Sequence, residues 1–385
     1  MANIIELHKR KTALMLRVGG LGDCLILTPI AKQLHKKGYA VDYFCGSPTG
    51  DMEEMFKGLP YINDCKTIGR VNNIDCIQDA DKNIISVDII KEKYDEVFDF
   101  KLSIEDNRSG FNKVEGWRQT LNSNYFNWID LSLAWVNIDP TTVPSDEKSP
   151  EIVLDEKYIN WANELFPETE RIAIQLQAST LVRSWYKAAD LPNLIYKNHP
   201  NSIILVFSSG WTALTQYGNK KIEIPEGFNP ICCSAALIKS SKCFIAADSG
   251  MSHVAEAVGT PTIGIYTTVP SWTRVRDYKH AHPIDAVAEC RPCFSLHIFC
   301  PLRMKEAENN MSDREKELVK MVESGTNPIE ICRHFNTVPK AIEMEYRSAK
   351  QRQDALSAGE PQCVRSVLPE MIIAKLDEVL NANSI

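Results

Sequence analysis

Short apolar runs alternate with helical patterns along most of the chain, and this alternation restricts the possible folds more than any other feature. Residues 12–18 form the first apolar run, a helical pattern extends from Cys24 to about Lys37, and Tyr39–Cys45 form a second run. Strands separated by helices predict βαβ units and a parallel sheet. The alternation resumes after residues 136–150, which contain three prolines and which we interpret as a linker.

The second alternating set predicts another α/β unit of the same kind. Its expected strands are Ile172–Gln177, Ile203–Ser208, Cys243–Ala247 and Pro261–Tyr266, and its expected helices are Cys232–Lys239 and Met251–Val258. Two such units in series predict a pair of Rossmann-like domains that face a cleft, with ligands at the carboxyl ends of the strands. Residues 301–355 are charged and helix-rich, so we interpret them as an insertion, and a helix predicted at Val367–Leu380 returns to the second domain.

Length and charge narrow the class of protein. The 385 residues are enough for two ordinary domains, and the net charge of −7 argues against a wholly basic nucleic-acid binder. No apolar stretch approaches the roughly 20 residues of a membrane span, and we find no secretory signal. We therefore expect a cytoplasmic protein in which most of the twelve cysteines are buried thiols without disulfides.

The turn at Asp248-Ser249-Gly250 is the first candidate binding site, because it joins an expected strand to an expected helix. Backbone N–H groups at a helix N-terminus have no partner within the helix and favour anions such as a diphosphate. Arg183 follows another strand end, and its guanidinium could bind phosphate oxygens. The alternatives are that Ser249 only caps a structural helix and that Arg183 is an exposed loop residue.

Three segments resemble glycosyltransferase family 9, the heptosyltransferase family. Val18–Asp23 resembles its opening motif, Arg183-Ser184-Trp185 its basic-x-Trp stretch, and Ala247–Gly250 with His253 its donor motif. The resemblance implies a GT-B fold and sugar transfer from a nucleotide-diphosphate donor, with inversion and without a metal in the chemistry. It also implies an acceptor-side domain at 1–145 and a nucleotide-sugar-binding domain at 151–300 and 356–385.

The resemblance also implies roles for individual residues. Asp23 would be the general base, on a loop where Gly19, Gly20 and Gly22 leave room for the acceptor. The expected donor-binding residues are Arg183, Asp248, Ser249, Gly250, His253 and Thr267. An alternative role for Asp23 is to cap the following helix. Thr267 lies in a segment that departs from the Gly-Pro-Thr-Asp-Pro of many members, so the resemblance leaves the donor's sugar and base open.

Four late cysteines form a candidate metal site. Cys290 and Cys293 are a C-x2-C pair, Cys300 follows, and Cys363 lies beyond the insertion. Four thiolates could bind zinc or iron, which we expect to be structural, and iron-binding members of the family carry a similar set. His297 is a competing ligand, and the alternative is that these are ordinary cysteines.

The insertion resembles the helix-turn-helix units of response regulators and sigma factors. Ser312 is expected to cap its first helix, Ile329–Phe335 form the second, and Lys340–Arg352 would be the recognition helix. The side chains expected to meet DNA phosphates are Lys340, Arg347, Lys350 and Arg352. Residues 301–352 contain ten basic and nine acidic residues, so the unit could equally form a protein–protein or homo-oligomer contact.

These features leave three interpretations of the acceptor and the function. A transferase with a DNA-reading insertion could modify a hydroxymethylated base, which would have to be flipped out or reached in an open groove. The competing enzyme transfers a sugar to lipopolysaccharide core or to a protein hydroxyl. The third interpretation is a catalytically idle GT-B fold that binds DNA or serves as a scaffold. The presence of Asp23 and Arg183 argues against this interpretation.

Overall fold

We analysed a computed structural model of the chain. It describes residues 10–47, 52–100, 127–185, 191–290, 308–350 and 361–382, with internal gaps at 73, 79–80, 168–169, 180, 209, 216–217, 310, 337–341, 344 and 348. Two α/β domains face each other, as predicted.

The N-terminal domain is built on a four-stranded parallel sheet in the order β3-β2-β1-β7. The strands of this domain are β1 (Lys11–Val18), β2 (Tyr39–Gly46), β3 (Asp64–Thr67), β4 (Gly69–Val71), β5 (Ile74–Gln78), β6 (Ile84–Ser86) and β7 (Glu96–Asp99). Strands β4, β5 and β6 form a separate antiparallel sheet. The chain moves from β1 to β2 on one side and to β7 on the other, so the crevice for a ligand opens at the carboxyl end of β1.

The predicted helix from Cys24 to about Lys37 is two helices in the structure. The helices of the domain are α1 (Leu21–Leu25), α2 (Thr28–Lys36), α3 (Glu53–Phe56), α4 (Val87–Lys91) and α5 (Trp128–Trp135). Pro29 near the start of α2 explains the break, because proline has no N–H to bond to the preceding turn. The linker at 136–150 contains two 3₁₀ turns, Pro140–Thr142 and Ser145–Glu147.

The C-terminal domain has a seven-stranded sheet in the order β11-β10-β9-β8-β12-β13-β14. Its strands are β8 (Arg171–Gln175), β9 (Ile203–Phe207), β10 (Trp211–Thr215), β11 (Gly218–Lys221), β12 (Cys243–Ala247), β13 (Thr262–Tyr266) and β14 (Ala281–Asp285). Strands β10 and β11, which our sequence analysis missed, form an antiparallel hairpin at one edge. The order reverses between β8 and β12, so the residues that follow these two strands border the second crevice.

Helices cover this sheet and carry the insertion. The helices before the insertion are α6 (Glu156–Leu165), α7 (Leu191–Asn198), α8 (Pro230–Lys239), α9 (Gly250–Val258) and α10 (Trp272–Val275). The insertion contains α11 (Asp313–Glu323) and α12 (Pro328–His334), and the chain then returns through α13 (Gln362–Arg365) and α14 (Pro369–Ala382). The buried side chains of α14, such as Ile372 and Leu376, pack in one apolar cluster with β8 and β12.

The insertion has an apolar core of its own. Leu318 on α11 packs with Ile331 of α12, with Phe335 just after that helix and with Ile342, where helical structure is again present. The predicted cap is present, because the Glu315 N–H donates to Ser312 Oγ at 3.3 Å and the Ser312 N–H donates to Glu315 Oε2 at 2.9 Å. None of the helices within the described ranges combines the length and the apolar character that crossing a bilayer requires.

Candidate functional site

A cavity of about 790 Å³ opens at the carboxyl ends of the strands and is lined by both domains. The N-terminal domain contributes the turn after β1, residues of α1 and the first residue of α5, Trp128. The C-terminal domain contributes the segments that follow β8 and β12, together with parts of β9, β10, α8 and α10. Among the predicted residues, the lining includes Gly20, Gly22, Asp23, Arg183, Asp248, Ser249, Gly250 and His253.

Two glycines bring the halves of this cavity together. A Cβ on Gly250 would lie 2.8 Å from the backbone nitrogen of Gly22 and 2.9 Å from the Cβ of Leu21. A Cβ on Gly22 would lie 2.7 Å from Cδ2 of His253. Only residues without a side chain allow the first turns of α1 and α9 to approach this closely. The loop that carries Asp23 therefore borders the N-terminus of α9.

Asp23 lies in the first turn of α1 and not at its N-cap, which is Gly20. The Gly20 N–H donates to Asp23 Oδ2 at 2.8 Å, and Nη2 of Arg17 lies 3.3 Å from the same oxygen. The predicted N-cap position of Asp23 is therefore wrong by three residues, because the backbone enters the helix earlier, at the glycine. Its carboxylate nevertheless caps the helix, as that alternative held, because it accepts from the N–H of the N-cap residue. The side chain is 13% exposed and faces the cavity, so the carboxylate is held in place yet remains accessible.

Arg17 is a site residue that the sequence analysis missed. It lies within the apolar run of β1, its side chain is fully buried, and its Nη1 donates to the carbonyl of Phe100 at 2.5 Å. A Cβ on Gly19 would lie 3.0 Å from both Arg17 Nη2 and Asp23 Oδ2, so this glycine leaves room for the ion pair. A charged residue inside a buried strand was the available signal, since buried charges require a partner.

Asp248 joins two arginines at the opposite wall of the cavity. Its carboxylate lies 3.6 Å from Nη1 of Arg183 and 3.8 Å from Nε of Arg274. Arg183 also donates to the hydroxyl of Ser179. Burial lowers the pKa of Arg274 to about 10, although the nearby Asp248 carboxylate acts to raise it. Arg274 was not predicted, because it lies on the short helix α10 and belongs to no motif.

Several buried polar atoms here lack a hydrogen-bond partner. Within the described ranges these include Nε of Arg183, Nη1 of Arg274, Oδ2 of Asp248 and Nε1 of Trp128. Buried polar groups are nearly always hydrogen-bonded in native structures, so an unsatisfied cluster suggests a ligand. Two guanidinium groups in one cluster favour an anion rich in oxygen acceptors, such as a diphosphate.

Ser249 occupies the N-cap position of α9 but does not cap it with its side chain. Its hydroxyl donates instead to Oε1 of Gln175 at the end of β8, at 3.0 Å. The alternative of a simple capping serine is therefore wrong, because the hydroxyl is engaged across the crevice. Because the Ser249 side chain does not cap them, the N–H groups that begin α9 can bind a ligand, apart from that of Ser252, which donates to the Ser249 carbonyl at 3.2 Å.

His253 supports the contact between the domains. It is buried, its Nδ1 lies 2.6 Å from the hydroxyl of Tyr278, and its ring abuts the position of Gly22. Burial lowers the pKa of His253 to about 4 and raises that of Tyr278, so both side chains are neutral near pH 7. His253 therefore lines the cavity, where we predicted a donor-binding residue, and it also supports the loop that contains Gly22.

Thr267 was predicted to bind the donor, but it does not line the cavity. The side chain is buried, and its hydroxyl donates to the carbonyl of Val182 at 2.7 Å. Thr267 therefore fixes the turn that carries Arg183. The buried hydroxyl accounts for the difference, since a threonine hydroxyl can anchor a neighbouring loop.

One end of the cavity is apolar and was not predicted. Phe207 and Trp211 have ring centroids 5.2 Å apart, and Ile224 and Ile231 complete this wall. The indole N–H of Trp211 donates to the hydroxyl of Ser234 at 2.9 Å. This wall can accommodate a flat, weakly polar group beside the cationic cluster.

The four-cysteine site lies only in part within the described residues. Cys293 and Cys300 lie outside them, as does His297. Cys363 is buried in the apolar cluster beneath α14, and Cys290 is half-buried after β14. The Val287 N–H donates to the hydroxyl of Ser366 at 2.8 Å, so the segments that carry these two cysteines are adjacent. Within the described ranges, no three His, Cys, Asp or Glu side chains are grouped to hold a metal ion.

The predicted DNA-contacting residues are also described only in part, since Lys340 and Arg352 lie outside the described ranges. Arg347 is 2.5 Å from Glu343, and Lys350 is 2.8 Å from Glu323. Both cations are therefore ion-paired within the insertion, and phosphate contacts would have to displace these carboxylates.

Comparison with known proteins is consistent with this geometry. The model of glycosyltransferase family 9 (heptosyltransferase) matches residues 233–297, while no curated protein matches the chain. ADP-heptose lipopolysaccharide heptosyltransferase II of E. coli is similar in structure, with a TM-score of 0.51 and 13% identity over 72% of this chain and 91% of that chain.

Two further solved structures are similar. The family 9 glycosyltransferase of Veillonella parvula has a TM-score of 0.50 and 14% identity, covering 71% of this chain and 85% of its own. The iron-containing dodecameric glycosyltransferase TibC of enterotoxigenic E. coli has a TM-score of 0.50 and 13% identity over 90% of this chain and 77% of that chain. The predicted GT-B fold, the resemblance to family 9 and the prediction of a glycosyltransferase are confirmed.

Proposed function

We propose that the chain transfers a sugar, with inversion, from a nucleoside-diphosphate donor to an acceptor hydroxyl. The observation that carries the proposal is the contact of Gly22 with Gly250, which places a carboxylate and a two-arginine cluster on one cavity. A heptosyltransferase of similar fold, TibC, has been solved in complex with ADP-D-beta-D-heptose, which supports a nucleotide-sugar donor.

The proposed reaction uses groups on opposite walls of the cavity. The acceptor oxygen forms a bond to the anomeric carbon while its proton passes to the carboxylate of Asp23. The bond between the anomeric carbon and the diphosphate oxygen breaks, and the electron pair leaves with the nucleoside diphosphate. Arg183, Arg274 and the N–H groups that begin α9 stabilise the charge that develops there. Arg17 fixes the Asp23 carboxylate through its ion pair.

Replacing the proposed base separates its chemical role from donor binding. We expect Asp23→Ala to lower turnover by about 10²–10⁴-fold while the affinity for the nucleoside diphosphate stays near that of the wild type. Asp146→Ala, which removes an exposed carboxylate outside the cavity, serves as the control. Turnover would be followed by release of the nucleoside diphosphate, and donor affinity by calorimetry. Near-normal turnover of Asp23→Ala would refute the assignment.

For the acceptor, we propose a hydroxymethylated base in DNA, brought to the cavity by the insertion. The folded core of Leu318, Ile331 and Phe335 supports an independent helical unit of the helix-turn-helix kind. The ion pairs of Arg347 and Lys350 favour instead a unit that contacts protein, as in transfer to a protein hydroxyl or in a homo-oligomer. Lipopolysaccharide core is the remaining acceptor implied by the resemblance.

Parallel acceptor assays distinguish these substrates. Hydroxymethylated DNA, lipopolysaccharide core and a serine-containing peptide would be incubated with a panel of nucleotide sugars, and the mass of each acceptor measured. A gel shift of the full chain and of a variant lacking residues 303–355 shows whether the insertion holds DNA. DNA binding that survives the deletion would contradict the proposed role of the insertion, and transfer to lipid or peptide alone would exclude DNA as the acceptor. DNA binding without transfer to any acceptor would favour the idle GT-B fold.

A further inference from the structure

The donor site of the C-terminal domain includes a side chain from the N-terminal domain. Trp128 is the first residue of α5, which packs against α2, whereas Arg274 lies on α10 after β13. The guanidinium carbon of Arg274 lies 3.0 Å from the centroid of the Trp128 ring, and both residues line the cavity. The face of one domain's indole therefore supports the cation of the other.

The other contacts of the Arg274 guanidinium are weak, so its position depends on the Trp128 ring. Its nearest carboxylate oxygen is 3.8 Å from Nε, and its Nη1 is buried without a hydrogen-bond partner among the described residues. A cation over the face of an indole is attracted by the ring quadrupole, most strongly where both groups are shielded from water. Arg274 is only 4% exposed and Trp128 is half-buried, so the cation is shielded from water and the ring is shielded in part.

Polar contacts flank the stacked pair and align the two helices. Nδ2 of Asn127 donates to the carbonyl of Trp272 at 3.2 Å, and Nη2 of Arg276 donates to Oδ2 of Asp130 at 2.8 Å. Each contact joins α5 or its N-cap to α10 or the residue after it. The geometry between Trp128 and Arg274 is thus set by docking of the domains and not by a local turn.

We propose that Trp128 is a positioning residue for the donor diphosphate. Its ring holds the Arg274 guanidinium against the cavity, so the anion site of the C-terminal domain is complete only when the N-terminal domain is docked. The inference rests on the proposed function, since it takes the occupant of the cavity to be a nucleoside diphosphate. It adds that donor affinity depends on a residue of the domain that is expected to bind the acceptor.

The test is a double-mutant cycle read by calorimetry on the full chain. The titrants are ADP, UDP, GDP and CDP, and the tightest of these on the wild type is used for all variants. We expect Trp128→Leu to weaken its binding about tenfold, because the desolvated cation–π contact is lost. Trp128→Phe keeps a ring face and should bind within about threefold of the wild type. In an Arg274→Met background, Trp128→Leu should change the affinity less than about twofold, because its partner is gone.

Trp135→Leu is the matched control, since it removes the other tryptophan of α5, at the end of the helix that does not line the cavity. Its dissociation constant should equal that of the wild type. Equal losses in Trp128→Leu with and without Arg274, or an equal loss in Trp135→Leu, would show a structural effect on α5 and overturn the inference. Unchanged binding by Trp128→Leu would also overturn it. If the wild type binds none of the four nucleotides, the proposed function fails instead.

Discussion

Gly250→Ala tests the contact on which the candidate site depends. The added Cβ would lie 2.8 Å from the Gly22 nitrogen and 2.9 Å from the Leu21 Cβ, whereas ordinary contacts begin at 3.4 Å. The first turns of α1 and α9 must therefore separate by about half an ångström. Neither partner atom can rotate away, because one belongs to the backbone and the other is attached directly to it. We expect the change to act on both domain docking and donor binding.

The magnitude follows from two opposing effects. Overpacking of this kind costs about 1–3 kcal/mol, while alanine restricts the unfolded chain and returns about 0.4–1 kcal/mol. The free energy of unfolding should therefore fall by about 1–2 kcal/mol. Displacement of the α9 N-terminus lengthens its hydrogen bonds to the diphosphate, and we expect roughly tenfold weaker nucleotide binding.

Urea unfolding and calorimetric titration measure the two quantities. Gly69→Ala is the control, because a Cβ there would meet no atom within 4 Å and Gly69 is not among the glycines with positive φ. This control should bind nucleotide with wild-type affinity, and its free energy of unfolding should equal or slightly exceed that of the wild type. Wild-type stability and wild-type affinity in Gly250→Ala would show that α1 and α9 do not approach this closely, and would contradict a single cavity shared by the two domains.

Two further predictions concern pH and metal. Burial gives His253 a folded pKa of about 4 against 6.5 for the exposed side chain, so the unfolded chain takes up the proton first as the pH falls. The stability from this residue is present above pH 6.5 and is lost towards pH 4, by at most about 3 kcal/mol. Denaturant unfolding of His253→Gln should therefore show a shallower loss over this range, and a slope equal to the wild type would contradict the assignment. For the cysteine site, elemental analysis should find about one zinc or iron per chain. The metal content should fall in Cys290→Ser but not in the control Cys332→Ser, whose thiol lies outside the predicted set. A wild-type metal content near zero would refute the predicted site.

Much of the fold and half of the site follow from local sequence patterns. The apolar runs that became β1, β2, β8, β12 and β13 were all predicted, because a buried parallel strand needs a short continuous apolar segment. The turns that follow such strands were also predicted, since glycine and small polar residues mark them wherever they occur. Arg183 and Asp248-Ser249-Gly250 were identified in this way and Asp23 through the resemblance to family 9, and the structure places them on one cavity.

The remaining features depend on contacts between distant parts of the chain. Trp128 and Arg274 lie far apart in sequence, and neither belongs to a motif, so only the docking of α5 against α10 brings them together. The hydroxyl of Ser249 donates to Gln175 instead of capping its helix, because β8 and β12 are neighbours in the sheet. The two α/β domains and the residues that end their strands can be recognised from local sequence, because they depend on neighbouring residues. The residues that share the cavity, and the buried cations that complete it, become apparent only when the domains are packed, because packing sets the distances between separate segments.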